Sequence, residues 1–339
     1  MFTQTTKITD QHQENSLSDV ISIWGKLRLR LLSLDIQEAS FEKRGFLTNN
    51  YQRQTDLEKI GQTFLWGYHT AIALDNSVDI INSLQNTKLE LQGFAFEGAA
   101  MGLTLLDLLM PWTEKRIPQF LNLQDDQHIY MVYVGLGWAL ARIPRSLSSY
   151  LAQLDNYSAS FPDSLLGWLA LDGYGFHQGY FAWRKYIEKQ KIPSELNNYT
   201  RNVFDQGLGR SLWFVKGANV DSIVEIIQGF APQRQADLWS GIGLACTYAG
   251  GLYQTEIVRL KELAGKNYIY LAQGSAFAAK TRLRAKNPDE NTEIASQVLC
   301  GMSASQSALV TDESLKGLNF DSEIPAYEQW RTKIQSRFD

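Results

Sequence analysis

The chain has 339 residues, of which 44% are hydrophobic and 20% are charged, so it is long enough to bury a large core. Its formal net charge of −4 gives no electrostatic basis for binding nucleic acid. The two cysteines, Cys246 and Cys300, indicate neither a disulfide framework nor a zinc site, and a reducing cytoplasm fits this usage.

The N-terminal part of the chain begins with a polar stretch. Residues 1–17 carry no apolar h-region of a signal peptide and are expected to form a disordered tail. Residues 18–339 are expected to form one domain, because no Pro-, Gly- or Ser-rich linker interrupts them. No apolar run in the sequence reaches the roughly 20 residues of a membrane span.

A helix is predicted to follow this tail, with Ser18 or Asp19 as its N-cap. Its apolar residues recur at helical spacing, and basic residues lie between them. Docking on the protein body is the first interpretation of this helix, and contact with a membrane surface or a lipophilic cargo is the second. The residues concerned are Val20, Ile23, Trp24, Leu27 and Leu31, with Lys26, Arg28 and Arg30 as the basic set.

From residue 66 onward a pattern repeats, in which glycine and small residues stand beside aromatics. Eight glycines, here called the marker glycines, lie 27 to 38 residues apart. Periods of this length indicate repeated supersecondary units. We expect each unit to be a pair of helices, in which the inner helix begins at its marker glycine and the outer helix is amphipathic. The marker glycines are Gly67, Gly98, Gly135, Gly173, Gly207, Gly241, Gly274 and Gly301.

These units predict an all-α fold. About six helix pairs are expected to close into a single-domain α/α barrel, or toroid, and an open solenoid of helix pairs is the alternative. The aromatics beside the marker glycines are then expected to line a central cavity. Strand signals are weak, and the most β-like segment is residues 127–135, QHIYMVYVG.

The sequence lacks the motifs of several common chemistries. It has no P-loop, no complete dinucleotide-binding glycine pattern and no GxSxG nucleophile elbow. Its four histidines show no paired spacing of metal ligands. We therefore expect neither a metal nor a cofactor.

One carboxylate stands where a core residue is expected. Asp107 lies in a predicted buried helix, residues 93–112, and its neighbours at helical spacing are apolar apart from Thr104. Burial raises the pKa of an isolated carboxyl group and keeps it protonated. Asp107 is therefore predicted to be either a proton donor facing an apolar space or a buried structural acid, with the Thr104 hydroxyl as its hydrogen-bond partner.

Other acids stand in similarly apolar or aromatic surroundings. Asp172, Asp205 and Asp237 each precede a glycine-rich segment, where an N-cap that binds free backbone N–H groups is the favoured interpretation. Glu97, in FAFEGAA, is expected to be structural and to pair with Arg210, His177 or another buried donor.

Six segments, in order along the chain, carry a family resemblance. They are FEGAAMGLTLLDLL, YVGLGWALARIP, GWLALDGYGFHQGYF, VFDQGLGRSLWFVKGANV, DLWSGIGLACTYAGG and LCGMSASQSA. Between residues 94 and 311 the chain resembles a family of proteins of unknown function from enediyne and cyanobacterial natural-product gene clusters. Within that family it is similar to the monodomain class II terpene cyclases of cyanobacterial meroterpenoid biosynthesis.

The resemblance implies a fold, a reaction and a substrate. The fold is a single α/α barrel that corresponds to the β-domain of class II terpene cyclases. The reaction is an acid-initiated carbocation cyclisation, formally an isomerisation, of a polyprenylated hydroxybenzoic acid to a polycyclic, sterol-like product without a cofactor. The DxDD motif that usually supplies the acid is absent. A lone acid must then protonate the alkene, and Asp107 is the predicted donor.

The expected site combines this acid with aromatic rings. A hydrogen bond from Thr104, His69 or His177 is expected to stabilise the carboxylate of Asp107 after proton transfer. His177 or Arg210 is expected to bind the polar head of the substrate. Aromatic faces stabilise cations by about 0.5–2 kcal/mol per contact, so the rings beside the marker glycines are expected to bind the chain. These rings are Phe94, Phe96, Trp138, Tyr174, Phe176, Trp213, Trp239 and Tyr248.

Two other functions stay open. The bacterial enediyne members of the family are linked to cofactor-free C–C bond formation, for which Glu97 and His177 are the candidate acid–base pair. A non-catalytic carrier of a lipophilic intermediate is the third function. In each case the expected ligand is lipophilic and the expected location is the cytoplasm, with peripheral membrane contact as an open alternative.

Overall fold

The computed structural model describes residues 21–155 and 165–339. Within these ranges the chain is helical and contains no strand, so the all-α prediction is confirmed. The predicted tail, residues 1–17, and the two candidate caps, Ser18 and Asp19, lie outside the described residues. Over the described ranges, no helix combines the length and the apolar composition needed to cross a membrane.

The helices follow one another with short connections. The α-helices are α1 (Ile23–Leu32), α2 (Phe41–Arg44), α3 (Tyr51–Ala73), α4 (Ser77–Gln85), α5 (Gln92–Leu109), α6 (Arg116–Asn122), α7 (Ile129–Leu140), α8 (Ser146–Asp155), α9 (Leu169–Phe181), α10 (Asn198–Val215), α11 (Val220–Gln228), α12 (Pro232–Ala249), α13 (Gln254–Ala264), α14 (Tyr268–Arg284), α15 (Glu290–Cys300), α16 (Ala304–Ser314) and α17 (Ala326–Gln335). Shorter helical turns are Ile36–Ala39, Leu89–Leu91, Leu166–Trp168 and Gly265–Asn267, with a π-helical turn at Arg184–Glu188.

The long glycine-rich helices pack in series. Helix α3 packs on α5, and the series continues through α7, α9, α10, α12 and α14 to α16. The amphipathic helices α4, α11, α13 and α15 pack against members of this series. Helix α11 illustrates their pattern, since its Val220, Ile223, Val224 and Ile227 are buried while its polar residues face outward.

Glycines occupy the crossing points of this series. A Cβ added to Gly137 of α7 would lie 1.9 Å from the Ala170 carbonyl oxygen of α9, and one on Gly173 of α9 would lie 1.9 Å from the Val134 oxygen of α7. The same reciprocal contact joins α9 to α10, α10 to α12 and α12 to α14. Only glycine permits two backbones to approach so closely. The glycine pairs concerned are Gly175 with Gly207, Gly209 with Gly241, and Gly243 with Gly274.

The Gly-x-Gly spacing explains why the series continues from helix to helix. Residues two apart on an α-helix point about 200° apart, and therefore toward opposite neighbours. In α9, Gly173 contacts the preceding helix of the series and Gly175 contacts the following one. The prediction that inner helices begin at the marker glycines was wrong, because these glycines lie inside the helices. Gly301 differs again, since it ends α15 as a left-handed C-cap with φ of 70°.

Two local predictions also need correction. The β-like segment, residues 127–135, belongs largely to α7, in which every residue from Ile129 to Leu140 is buried. A helix buried on all sides has no polar face, so hydrophobic periodicity does not distinguish it from a buried strand. The first described helix starts at Ile23 with Ser22 as its cap, and the Ser22 hydroxyl accepts a hydrogen bond from the Gly25 N–H at 3.0 Å.

Candidate functional site

Seven aromatic side chains surround a cavity of about 40 Å³ where α3, α5, α7, α9 and α10 meet. Trp138 lies in its wall, with its ring 4.4 Å from that of Phe64 and 5.0 Å from that of Phe176. The exposed area of the wall is almost wholly apolar. The rings of this aromatic cavity are Phe64, Phe94, Trp138, Phe176, Tyr180, Phe181 and Phe214.

One buried carboxyl group, that of Glu97, belongs to the wall of the aromatic cavity. Only 1% of Glu97 is exposed, and its Oε1 accepts a hydrogen bond from the Trp138 indole N–H at 3.0 Å. Burial raises the pKa of Glu97 to about 7, and this desolvation outweighs the opposing effects of Arg210 and Trp138. Glu38, the other acid of the wall, is partly exposed and pairs with Arg44 at 2.7 Å. Glu97 therefore keeps its proton to a higher pH than a carboxyl group in water does.

A buried polar network holds Arg210 beside Glu97. Its Nη2 lies 4.0 Å from Glu97 Oε1, while its Nη1 donates to the Asp172 carboxylate. The Gln206 amide donates to the same carboxylate at 2.7 Å, and the Ser240 hydroxyl donates to Gln206 at 3.0 Å. The Asp172 charge thus offsets part of the effect of Arg210, and burial stays the largest influence on the pKa of Glu97.

The predicted substrate-binding residues divide into two groups. Phe94, Trp138 and Phe176 line the aromatic cavity, and the Arg210 guanidinium lies over the Phe176 ring at 4.8 Å. His177 lies beside this wall, with its ring 5.5 Å from that of Trp138. Burial lowers the pKa of His177 to about 3, helped by Arg142 and Arg44, so the imidazole is neutral.

The other predicted rings lie outside the aromatic cavity. Phe96 stacks on His128 with ring centres 4.0 Å apart. The Trp213 indole donates to the Gly250 carbonyl at 3.0 Å, which is a structural contact. Tyr174 neighbours Phe204, Trp239 is buried in the core, and Tyr248 packs on Phe94. Helical spacing explains the difference, since rings next to a glycine that faces a neighbouring helix do not all face inward.

Asp107 lies in surroundings that differ from the prediction. Its Oδ1 accepts from the Arg116 guanidinium at 2.7 Å, and its Oδ2 accepts from the Arg116 backbone N–H at 3.0 Å. Among the described residues, the buried Thr104 hydroxyl has no hydrogen-bond partner. His69 instead accepts a hydrogen bond from the Leu34 N–H at 3.1 Å. The predicted apolar surroundings and the Thr104 bond were therefore wrong, because a basic residue nine positions later folds back onto the acid.

A groove of about 620 Å³ opens beside Asp107, between α5, α6, α7 and α8. Asp107 and Thr104 both line this Asp107 groove, and Lys115 and Arg145 add positive charge to an otherwise mainly apolar wall. Its volume falls within the range of small-molecule sites, about 300–1,000 Å³. The predicted acid and hydroxyl thus share a cavity, although it is separate from the aromatic one.

The acids interpreted as N-caps form ion pairs instead. Asp205 lies inside α10 and accepts two hydrogen bonds from Arg234, at 2.8 and 2.5 Å. Asp237 lies inside α12 and accepts from Arg331 of α17 at 2.5 Å. Asp172, near the start of α9, pairs with Arg210 as described above. The N-cap interpretation was wrong for all three, because the helices begin before the acids and the partners come from distant segments.

Sequence reasoning missed four rings of the aromatic cavity: Phe64, Tyr180, Phe181 and Phe214. A usable signal was present, since Phe64 precedes Gly67 by one helical turn, and Tyr180 and Phe181 end the segment GYGFHQGYF. The pairing of Glu97 with Trp138 joins residues 41 positions apart and has no comparable sequence signal.

The fold and this site define an all-helical protein with an aromatic cavity and a buried carboxyl group, that of Glu97, in its wall. The chain belongs to the family described as "Protein of unknown function (DUF1702)", which matches residues 23–338. Neither a curated protein nor a solved structure shows a significant match. In the described part of the chain, no three His, Cys, Asp or Glu side chains are grouped to hold a metal ion.

Proposed function

We propose that the protein is a class II terpene cyclase that converts a polyprenylated hydroxybenzoic acid to a polycyclic, sterol-like product. The observation that carries this proposal is the position of Glu97, a buried acid with a pKa of about 7 in the wall of an aromatic cavity. Protonation of an alkene needs a neutral carboxyl group, and the carbocation that follows needs aromatic faces and the absence of water. Glu97 and its neighbours meet these requirements.

We propose further that the helix series closes into an α/α toroid. Contacts between distant members of the series support this arrangement. The ring of Phe94 in α5 lies 5.1 Å from that of Tyr248 in α12, and the Arg282 guanidinium of α14 lies 6.0 Å from the Phe94 ring centre. Such contacts join helices that are not neighbours in the series, as expected when the series curves around a common interior.

In the proposed reaction, the Glu97 O–H donates its proton to the terminal alkene of the substrate. The alkene π electrons form the new C–H bond, and the cation at the neighbouring carbon is attacked by the next double bond, so that rings close in turn. Loss of a proton, or attack by the hydroxyl of the aromatic head, ends the sequence. The Glu97 carboxylate then regains a proton, so the product is an isomer of the substrate.

Arg210 and Trp138 make Glu97 a stronger acid than burial alone would allow, because both stabilise its carboxylate form. After proton transfer, the Glu97 carboxylate keeps the Trp138 N–H bond at 3.0 Å and the Arg210 charge at 4.0 Å. Both interactions favour the charged form and therefore strengthen the acid. Because Asp172 also binds Arg210, the guanidinium does not pull the proton from Glu97 before the substrate arrives.

Substrate binding requires the aromatic cavity to widen, because about 40 Å³ is far below the several hundred Å³ of a ligand site. The segment from Ile36 to Arg44, here called the cover, supplies Glu38 and Ala39 to the outer wall. Its Arg44 guanidinium lies over Phe181 at 4.9 Å, and the Trp183 indole donates to the Arg44 carbonyl at 3.1 Å. We propose that the cover moves away when the prenyl chain enters.

Asp107 is the second candidate for the acid. The volume of the Asp107 groove favours it, because about 620 Å³ accommodates a prenylated aromatic acid without movement. Its ion pair with Arg116 argues against it, since both carboxyl oxygens already accept hydrogen bonds from Arg116 and are not free for a substrate. We therefore assign the proton donor to Glu97.

The test is incubation with farnesyl- or geranylgeranyl-hydroxybenzoate in deuterated water containing EDTA. We expect a cyclised product that carries one deuterium from the wild type and from Asp107→Asn, and none from Glu97→Gln. Loss of product in Asp107→Asn together with full activity in Glu97→Gln would move the acid to the Asp107 groove. Absence of cyclised product from every protein would reject the cyclase proposal.

A cofactor-free C–C bond-forming enzyme is the alternative that one observation favours. Glu97 and His177 both contact Trp138, and the buried His177 Nδ1 has no hydrogen-bond partner among the described residues. If a substrate binds between them, the neutral carboxylic acid can act as the general acid and the neutral imidazole as the general base. Product from an aromatic polyketide and none from a prenylated benzoate would favour this function, whereas a bound but unchanged prenylated benzoate would indicate a carrier.

A further inference from the structure

Helix α1 presents its apolar side to solvent. Ile23 is 85% exposed, Trp24 70%, Leu27 43% and Leu31 71%. Positions 23, 27 and 31 repeat every four residues, so these side chains form a continuous strip along the helix, with Trp24 at its edge. An amphipathic helix of a globular protein normally turns such a strip toward the core. The reversed orientation of α1 therefore points to a partner outside the described fold.

The opposite side of α1 is fixed to the body of the protein. A Cβ on Gly25 would lie 2.0 Å from the Ala73 carbonyl oxygen at the end of α3, so the two backbones are in close contact. Asp75 accepts hydrogen bonds from the Ser22 hydroxyl at 2.7 Å and from the Arg28 guanidinium at 2.5 Å. The helix cannot rotate its apolar strip inward without breaking these contacts.

Positive charge accompanies the apolar strip. Lys26 and Arg30 are exposed, and they lie four residues apart on the side of α1 that adjoins Ile23 and Leu27. Arg28, by contrast, is bound to Asp75. An apolar strip with Trp at its edge and basic residues alongside is the composition of a helix that lies in the interface of an anionic bilayer.

We propose that α1 binds the surface of an anionic lipid membrane, with Ile23, Trp24, Leu27 and Leu31 inserted among the lipids. A second copy of the chain fits less well, because a two-fold contact through this strip would bring Lys26 and Arg30 toward their own copies. The proposal stands independently of the cyclase assignment. If membrane binding and the cyclase function both hold, the membrane is the source of the substrate, because a prenylated acid partitions into lipid. Helix α1 and the cover both pack on α3, which brings the membrane near the aromatic cavity.

The position of α1 relative to the cover fits this route. Gly25 packs at Ala73, whereas a Cβ on Gly61 would lie 2.9 Å from the Ala39 Cβ in the cover. Twelve residues of α3 separate these two points, which corresponds to about 18 Å along the helix. A membrane that contacts α1 therefore lies within a short distance of the segment that closes the aromatic cavity.

Vesicle binding tests this proposal directly. The wild type is mixed with vesicles of phosphatidylcholine alone or of equal parts phosphatidylcholine and phosphatidylserine, and binding is measured by flotation. A Leu31→Cys variant carries an environment-sensitive fluorophore at the strip, because the native Cys246 and Cys300 are buried. We expect binding to the anionic vesicles, with a blue shift of the fluorophore, and weaker binding to phosphatidylcholine or at high salt.

Matched variants separate this surface from general charge effects. Lys26→Glu with Arg30→Glu is expected to weaken binding at least about tenfold. Lys266→Glu with Lys316→Glu, which changes the net charge by the same amount at exposed positions elsewhere, is expected to leave binding unchanged. Trp24→Ser should also abolish the anionic binding, whereas Leu309→Ser, at a 53% exposed position on α16, should not.

Several results would overturn the proposal. These are no binding to either vesicle, equal loss in the two charge variants, or a fluorophore already shielded without vesicles. A concentration-dependent dimer that Trp24→Ser disrupts would assign the strip to a second copy. Cyclisation is measured separately in detergent, so failure of membrane binding leaves the proposed reaction intact, and failure of the reaction leaves membrane binding intact.

Discussion

The protonation state of Glu97 predicts how the stability of the protein depends on pH. Burial raises the pKa of this group from 4.5 to about 7 in the folded protein. The folded state therefore holds a proton that the unfolded chain releases, and stability falls as pH rises from 4.5 to about 7. The difference of about 2.5 in pKa corresponds to a loss of about 3 kcal/mol in the free energy of unfolding.

The Glu97→Gln variant isolates this contribution. A glutamine of the same shape accepts the Trp138 N–H bond but cannot ionise, so the pH-dependent loss disappears. Denaturant unfolding of both proteins at pH 5 and pH 8 gives the change in the free energy of unfolding between these pH values. Groups that titrate in the same way in both proteins cancel when the two changes are subtracted. We expect the variant to be relatively more stable at pH 8 by about 3 kcal/mol. Identical pH dependence in the two proteins would contradict a protonated Glu97.

Three further predictions concern the packing, the second acid Asp107 and the hydrogen bond between Trp138 and Glu97. Gly207→Ala is expected to lower the free energy of unfolding by more than about 3 kcal/mol, because its Cβ would lie 1.9 Å from the Asp172 carbonyl oxygen. Gly229→Ala is the mild control, since its Cβ would lie 3.3 Å from its nearest neighbour. Thermal unfolding of both variants measures the difference. Asp107→Asn is expected to lower the free energy of unfolding by about 1–3 kcal/mol through loss of a charged hydrogen bond, and no change would show that the Arg116 contact is not formed. Trp138→Phe removes the hydrogen bond to Glu97, so the pKa of the acid should rise further, and an unchanged pH profile of activity would refute that role.

Much of the fold follows from local sequence. The crossing glycines from Gly67 to Gly274 recur every 31 to 38 residues, and the amphipathic helices show the 3.6-residue pattern, so repeated helical units could be predicted. The helix starts could not, because a Gly-x-Gly pair inside a helix resembles a glycine-rich start. Helix α7 was ambiguous for a related reason, since burial on all sides removes periodicity.

The site depends on contacts between residues that are far apart in the sequence. Asp172, Asp205 and Asp237 are bound by arginines from other helices, which no local pattern reveals. Asp107 was expected to be unpaired because its helical neighbours are apolar, yet its partner follows the end of the helix. Glu97 was predicted to be structural or, in the alternative function, to form an acid–base pair with His177, and the structure places it in the wall of the aromatic cavity.

In the proposed reaction, Glu97 is the source of the proton that starts cyclisation. Cyclisation of a prenylated hydroxybenzoate in deuterated water, followed by mass spectrometry, tests this for the wild type, Glu97→Gln and Asp107→Asn in parallel. Incorporation of one deuterium by the wild type and by Asp107→Asn, with no product from Glu97→Gln, is the predicted result. A Glu97→Gln variant that folds normally and still forms the deuterated product at the wild-type rate would contradict the central claim.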